Sequence, residues 1–380
     1  MSTHEILILG GHHAGLNSAH YLLRHVVPKL SKLNSTTYRV TIVTPNNEFF
    51  WNIAAPRLIV SETLIPEEKV FLPISPAFAS YGTQFSLVHG KATDVDAASK
   101  TVSISNGEQI KYDTLVIATG SHYASPVWAL NNSDEALKSE IRALVNALAS
   151  AKSVLIAGGG AVGVETAGEI GAQFTGIDIT IFSGSSRLLP KLLPANSASA
   201  AKQLANYGVK TVNNDVKVSS TEKNPDGTTT VTLSDGATKT VDVFIDATGA
   251  KPNSSFLPPA WLTASKHVNA DKTCRTPFPG VYAIGDVASF SNGSVIDVQN
   301  SVQPLGTSIG IDLAGKEGVF KQKEFKGLGA TQFVPCGPSG GVGQVFGWRV
   351  PSLAVWAGKC RTYLVWMAQG GVDGDAAKKA

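Results

Sequence analysis

Six runs of aliphatic and β-branched residues, at 5–9, 38–43, 114–118, 154–157, 177–182 and 241–246, alternate with stretches rich in Ala, Gly and Ser. Short apolar runs bounded by turn residues read as strands covered on both faces, and their alternation with helical segments predicts a parallel sheet. The chain passes through this alternation twice, which predicts an α/β fold. Between 209 and 240 the pattern changes to short alternating strands interrupted by KNPDGT and SDGA, two turn signals of a β-hairpin extension. After about 325, five glycines within 337–347 precede an apolar, aromatic stretch of helical spacing, which predicts a small C-terminal α+β module.

Each half opens on the same device. LIAGGGAVGVETAGEI (155–170) carries Gly158, Gly160 and Gly163 in G-x-G-x-x-G spacing between a strand and a helix. The first glycine permits the tight turn, the second lets backbone approach a pyrophosphate, and the third lets helix pack on strand. The amides and dipole of the helix N-terminus then face the phosphates. LILGGHHAGLNSAHYL (7–22) repeats the pattern with Gly10, Gly11, His12, His13, Ala14 and Gly15, so that His12 stands at the second glycine. His12 and His13 are read either as surface loop residues or as direct phosphate contacts. Two Rossmann-type units are thus expected.

Composition narrows the function. A chain of 380 residues, 43% hydrophobic, can build two or three cores. Its charge of +3, from 32 basic and 29 acidic residues, is dispersed, so no nucleic-acid footprint stands out. Cys274, Cys336 and Cys360 are odd in number and far apart. They suit a reducing compartment, with neither a disulfide framework nor metal-ligand spacing, and read as buried thiols. No metal site is expected. The N-terminus MSTHEILILG enters a strand at once and Ser2 follows Met1, so neither a targeting sequence nor N-myristoylation is expected, and the location is read as cytoplasmic.

TLVIATGS (114–121) and VFIDATGAKPN (243–253) share A-T-G after an apolar strand, and PGVYAIGDVASF (279–290) ends a strand on Gly285 and Asp286. With the paired turns, these segments resemble the two-dinucleotide flavoproteins of the pyridine-nucleotide disulfide oxidoreductase fold. FFWNIAAPRLIV (49–60), R-L-L-P (187–190) and GGVGQVFGWRVPS (340–352) are similar to the apoptosis-inducing-factor-like and ferroptosis-suppressor-like proteins, fungal relatives among them. The resemblance implies a discontinuous FAD-binding domain at 1–122 and 251–324, an inserted NAD(P)-binding domain at 123–250, and the C-terminal module at 325–380. It places FAD on the first turn, NADH or NADPH on the second, Ala118, Thr119, Gly120 and Gly249 at the A-T-G turns, and Gly285 and Asp286 at the ribityl chain. It also implies that Arg57 lies against FAD and that backbone from Val88 to Ala92 touches the adenine.

Two departures qualify that placement. Thr44 stands where an acid normally takes the adenosine ribose hydroxyls, which leaves Thr44, Asn46 or the histidines to do so. In the second unit, ITIFSGSSR ends on Ser183 with Arg187 close by; no carboxylate repels a 2′-phosphate, and NADH and NADPH both remain open. A redox cysteine pair on the helix after 49–60 is missing, which excludes a dithiol relay. There remains transfer from NAD(P)H through flavin to a diffusible acceptor, with a quinone favoured. An FAD enzyme acting on a small metabolite of a fungal biosynthetic pathway, and a redox-sensed interaction protein, are the alternatives.

Glu165, in the first turn after Gly163, matches a glutamate near the nicotinamide and flavin in related type II NADH dehydrogenases, or is a carboxylate favoured by the helix N-terminus. Gln303, ahead of a helix expected at 305–313, is placed by the resemblance at the flavin pyrimidine edge. Finally, Leu353, Trp356, Ala357, Cys360, Tyr363, Leu364 and Met367 recur at three- and four-residue spacing, flanked by Lys359 and Arg361. That face suits either an interfacial helix in peripheral contact with a membrane or a helix packed on the FAD domain.

Overall fold

The computed structural model describes residues 3–316 and 318–379. Strand Thr3–Leu9 buries Ile6, Leu7, Ile8 and Leu9 completely, as a strand covered on both faces must. It is central in a five-stranded parallel sheet ordered Val281–Ala283, Thr114–Ile117, Thr3–Leu9, Thr37–Thr44, Phe85–His89. A second parallel sheet is ordered Val209–Val212, Asp178–Phe182, Ser153–Ala157, Val243–Asp246. In both sheets the strand that leads into a glycine turn has its sequence successor on one side and a later strand on the other. Both turns therefore open at a point where strand order reverses, the crevice in which such sheets hold ligands.

Three expected elements change on folding. The single strand expected at 241–246 is split: Thr238–Val241 pairs in an antiparallel sheet with Thr229–Leu233 and Val218–Lys223, and Val243–Asp246 enters the parallel sheet. Asp242 makes the corner, because its carboxylate accepts from Lys152 N at 2.8 Å, Ser153 N at 2.8 Å and Ser153 Oγ at 3.0 Å. The helix expected at 305–313 runs instead from Val295 to Ala314, capped by Ser294 Oγ accepting from Asp297 N at 3.1 Å. Pro304 lies inside it, a proline that marks no helix start. Gly306 lets this helix pack on His13–Tyr21, since a Cβ there would lie 2.1 Å from the Tyr21 ring.

The C-terminal stretch is not one amphipathic helix. Ser352–Val355 and a π-turn at Trp356–Cys360 end where Tyr363 (φ 47°) and Leu364 (φ 57°) turn the backbone left-handed. The turn has a cause elsewhere in the fold: Trp51 Nε1 donates to Tyr363 O at 2.9 Å, and Arg57 donates to Arg361 O at 3.2 Å. Of the expected apolar face, Cys360 and Tyr363 are buried, whereas Leu353 is exposed. Strands Gln332–Pro335, Gly341–Val345 and Trp348–Arg349 precede this stretch as an antiparallel sheet, and short helical segments Val365–Met367, Ala368–Val372 and Asp375–Ala377 follow.

Candidate functional site

At the first turn Gly10 holds φ at +113°, and a Cβ there would strike Ala118 O at 2.4 Å. A Cβ on Gly15 would lie 1.8 Å from Gly10 O, and one on Gly11 2.8 Å from the Thr44 side chain. Backbone alone thus shapes the start of helix His13–Tyr21. His12 fits because its backbone is extended (φ −118°, ψ −161°) and its side chain leaves the turn. Its Nε2 donates to Phe50 O at 2.6 Å while its ring stacks on Phe49 with centroids 4.8 Å apart. Burial pushes the His12 pKa down to about 4, so the ring is neutral at physiological pH. His13 is buried, its ring edge-on to Phe49 at 4.7 Å and to Trp51 at 5.4 Å. Neither is a surface loop residue, and the His12 ring is turned onto Phe50, which the spacing of residues 10–15 does not foretell.

One cavity of about 1800 Å³ connects the units, larger than the roughly 300–1,000 Å³ of an ordinary single-ligand pocket. Gly10, Gly11, His12, His13 and Ala14 line it, together with Thr44, Ala92, Ala118, Thr119, Gly120, Gly285, Asp286 and Glu165. Its residues fit a dinucleotide on two counts. His13 Nε2 is buried beside the cavity without a partner in the protein. Asp286 has its carboxyl raised by burial and receives only Ser121 Oγ, at 3.4 Å, which leaves acceptor capacity for polyol hydroxyls. Thr44 is buried and accepts from Asn46 N at 3.3 Å, and Asn46 Nδ2 donates to Asn132 O.

Several expected residues lie elsewhere. Arg57 does not reach the cavity: it is buried in a bidentate pair with Glu169, at 2.9 and 2.8 Å, and stacks on the Tyr363 ring at 4.6 Å. A buried guanidinium without a carboxylate is costly, and Glu169 fills that need. Val88 packs against the core and does not line the cavity; Gly90, Lys91 and Ala92 supply the wall. Gln303 sits two turns inside its helix, donating to Lys379 O at 3.1 Å and accepting from Lys323 Nζ at 2.8 Å, far from the helix N-terminus that lines the cavity through Ser294–Asp297. Gly158, Gly160, Gly163, Ser183, Arg187 and Gly249 form the second turn and its surroundings outside the cavity wall. Gly158 repeats the first turn, with φ +112° and a Cβ position 2.5 Å from Ala247 O.

Glu165 reaches the cavity from helix Ala161–Gln173, and its partner comes from the C-terminal module: Lys359 Nζ donates to Glu165 Oε1 at 2.6 Å. Burial pushes the Glu165 carboxyl up, while Lys359 pulls it back in part. Lys359 was not singled out as a site residue from the sequence, where it reads as a cation flanking an apolar face; the fold brings it to Glu165 at the cavity wall. Gly358, Leu364 and Met367 line the cavity beside it, as do Ile53 and Phe333. Among the described residues no cysteine lines the cavity, and burial raises the Cys336 and Cys360 thiols to about 12.

Comparison with known proteins places these features in context. The family model described as pyridine nucleotide-disulphide oxidoreductase matches residues 4–304. The oxidoreductase phnG of Penicillium herquei is 37% identical, over 97% of this chain and 96% of its own length. Ferroptosis suppressor protein 1 of Taeniopygia guttata is 26% identical, over 95% of this chain and 94% of its own. Among solved structures, a ferredoxin reductase from Rhodopseudomonas palustris superposes with a TM-score of 0.65 at 20% identity, covering 85% of this chain and 78% of its own, a likeness of fold.

Proposed function

The chain belongs to the pyridine nucleotide-disulphide oxidoreductase family, with FAD as its cofactor and NADH or NADPH as its hydride donor, and on that premise we propose that it reduces a quinone. Bound FAD supplies the two-electron chemistry, taking hydride from the nicotinamide and passing electrons onward. The protein's part is position and protons. The first turn offers helix amides to the pyrophosphate. Asp286 would accept from the ribityl hydroxyls, and Thr44 with Asn46 would receive the adenosine ribose. The second turn would hold NAD(P)H, and Glu165, on the helix that follows it, would present its carboxyl to the cavity between the two dinucleotides.

The observation that carries the acceptor class is the pair Glu165–Lys359 set among Ile53, Phe333, Leu364 and Met367, in a cavity without cysteine. A planar apolar acceptor fits those side chains. A carboxyl raised by burial can hold a proton on the oxygen that Lys359 does not occupy and give it to an acceptor oxygen, and Lys359, bonded to Oε1, stabilises the carboxylate that remains. Raised, buried thiols offer no nucleophile for a dithiol relay.

Among the described residues no helix is long and apolar enough to cross a membrane. Peripheral membrane contact runs through separate exposed side chains, Phe346, Trp348, Leu353 and Trp366, and not through one helix. Phe346 N bonds Thr331 Oγ1 at 2.9 Å and Gly347 N bonds Ala330 O at 3.0 Å, which ties this hairpin tip to cavity-lining residues.

The purified protein is expected to be yellow, to bleach with anaerobic NAD(P)H, and to be reoxidised in stopped flow faster by a short-chain quinone than by oxygen. Quinone reoxidation no faster than oxygen would transfer the assignment to a small metabolite. Co-sedimentation with anionic liposomes, lost on Trp348→Lys, checks the membrane contact; equal pelleting of both proteins would reject it.

A further inference from the structure

The segment GGVGQVFGWRVPS at 340–352 supplies strands Gly341–Val345 and Trp348–Arg349 of the C-terminal module, and from the first of these Gln344 lines the cavity. Gln344 is 2% exposed, so its amide is cut off from bulk water and has to be satisfied from inside the molecule. Its oxygen end is: Leu193 N donates to Oε1 at 2.9 Å, and Asn196 Nδ2 donates to it at 3.4 Å. A backbone N–H only donates, so the atom that faces Leu193 is the oxygen, and the amide cannot be turned over. Nε2 is left toward the cavity, and among the described residues it has no hydrogen-bond partner.

That donor is also polarised from behind. Arg349, the cross-strand partner of Gln344, donates from Nε to Asn196 Oδ1 at 3.1 Å, and Asn196 Nδ2 donates onward to Gly343 O at 3.1 Å and to Gln344 Oε1. A guanidinium accepts nothing, so the chain runs in one direction, from the cation through two amides to Nε2. Each bond in such a chain strengthens the next, which makes the last N–H a better donor than that of a lone amide. Across the ladder from Gly343 stands Phe333, with its ring clamped, since Cβ atoms on Gly343 and Gly358 would lie 2.8 and 2.7 Å from it. Phe333 and Gly358 line the cavity, and Lys359, bonded to Glu165, follows Gly358 in the chain. A fixed aromatic ring beside a polarised donor is complementary to a planar molecule that carries a carbonyl oxygen.

We propose that Gln344 Nε2 donates to a carbonyl oxygen of the electron acceptor, and that Asn196 and Arg349 are positioning residues that hold and polarise it. The proposal rests on the reading of the acceptor as a quinone and adds the group that recognises it, on the C-terminal module and away from both glycine turns. A donor at that oxygen also favours the reduced acceptor, because negative charge gathers there as electrons arrive.

In the test, oxidised FAD-loaded protein is titrated with duroquinone, a fully substituted benzoquinone, and binding is read from the flavin absorbance. Gln344→Glu keeps the oxygen that Leu193 N needs and replaces only the donor. At alkaline pH it should bind duroquinone about three- to tenfold more weakly than the unaltered protein, the range for one lost hydrogen bond, and the deficit should close as pH falls and the introduced carboxyl gains an O–H. A packing defect has no reason to reverse with pH. Arg349→Met, a change at an exposed residue, should weaken binding in the same direction by less. Reduction by NAD(P)H, and reoxidation by ferricyanide, which has no carbonyl, should keep their rates. Affinity for duroquinone equal to that of the unaltered protein at every pH overturns the proposal. So does slowed reduction by NAD(P)H with duroquinone binding intact, which assigns the amide to the nicotinamide carboxamide instead. If Gln344→Glu retains no FAD, Arg349→Met decides, and unaltered duroquinone binding there overturns the donor role. If the unaltered protein binds no duroquinone, the quinone reading itself fails, and the donor role falls with it.

Discussion

Gly10 and Gly158 sit at φ +113° and +112°, where an added Cβ would lie 2.4 and 2.5 Å from a facing carbonyl oxygen, and a Cβ added to Gly15 or Gly163 would lie 1.8 or 1.9 Å from Gly10 O or Gly158 O. The two turns are one backbone shape built twice. At the position between, His12 and Gly160 diverge, and a Cβ on Gly160 would meet nothing within 4 Å. The first and third glycines are therefore demanded by the protein's own backbone, and the second only by what approaches from outside. The helices beyond the turns differ more. His13–Tyr21 offers neutral donors to the C-terminal tail, with His20 Nε2 on Val372 O at 2.8 Å and Asn17 Nδ2 on Gly371 O at 3.4 Å. Ala161–Gln173 instead buries two carboxylates one turn apart, each neutralised from another part of the chain, Glu165 by Lys359 and Glu169 by Arg57.

The largest effect should come from breaking that second arrangement. Arg57→Met leaves Glu169 buried and unpaired, and urea denaturation should show a loss of about 3–5 kcal/mol. A smaller loss would mean that Tyr363 Oη, 3.2 Å from Glu169 Oε1, replaces the guanidinium. Next come the matched glycines. Gly15→Ala and Gly163→Ala should each cost about 1–3 kcal/mol as overpacking, the first releasing FAD into the ultrafiltrate and the second weakening NAD(P)H titration alone. Markedly unequal costs would break the equivalence of the turns.

The divergent position gives smaller changes. His12→Gly removes the bond to Phe50 O and should cost about 1 kcal/mol while keeping FAD, whereas Gly160→Ala should stay within about 0.5 kcal/mol in stability yet weaken dinucleotide binding. FAD loss in His12→Gly would give the imidazole a direct cofactor role.

The subtlest effect is in pH. With its carboxyl raised by burial, Glu165 binds a proton in the native state at pH values where the unfolded chain has released it. Its contribution to stability is therefore present below the ordinary carboxyl value and lost as pH rises through the raised one. Lys359→Met removes the charge that holds the carboxyl down, so the fall in flavin reoxidation by quinone as pH rises and the carboxyl loses its proton should move to higher pH. An unmoved profile would detach Glu165 from proton transfer.

Local chemistry explains what was readable in advance. Both glycine turns, the A-T-G segments and Gly285–Asp286 are short contiguous signals whose meaning lies in backbone geometry, and Gly10–Ala14, Ala118–Gly120 and Asp286 line the cavity together. Arg57 and Gln303 were harder, because a long polar side chain goes to whichever partner the fold brings near, and for these two the partners are Glu169, Lys323 and the Lys379 carbonyl. The C-terminal apolar spacing was real, yet the hydrogen bonds from Trp51 and Arg57 to the carbonyls of Tyr363 and Arg361 hold the chain in a turn that the spacing does not encode.

What the sequence by itself determined is the repeated strand, turn and helix, since buried aliphatic runs and left-handed glycines act within a few residues of themselves. Only the tertiary structure decided which charges meet. Glu165 and Lys359 are joined by an ion pair of 2.6 Å across 194 positions of chain, and no local pattern specifies a contact made only when two buried surfaces close on each other and exclude the water that would otherwise hold each charge apart.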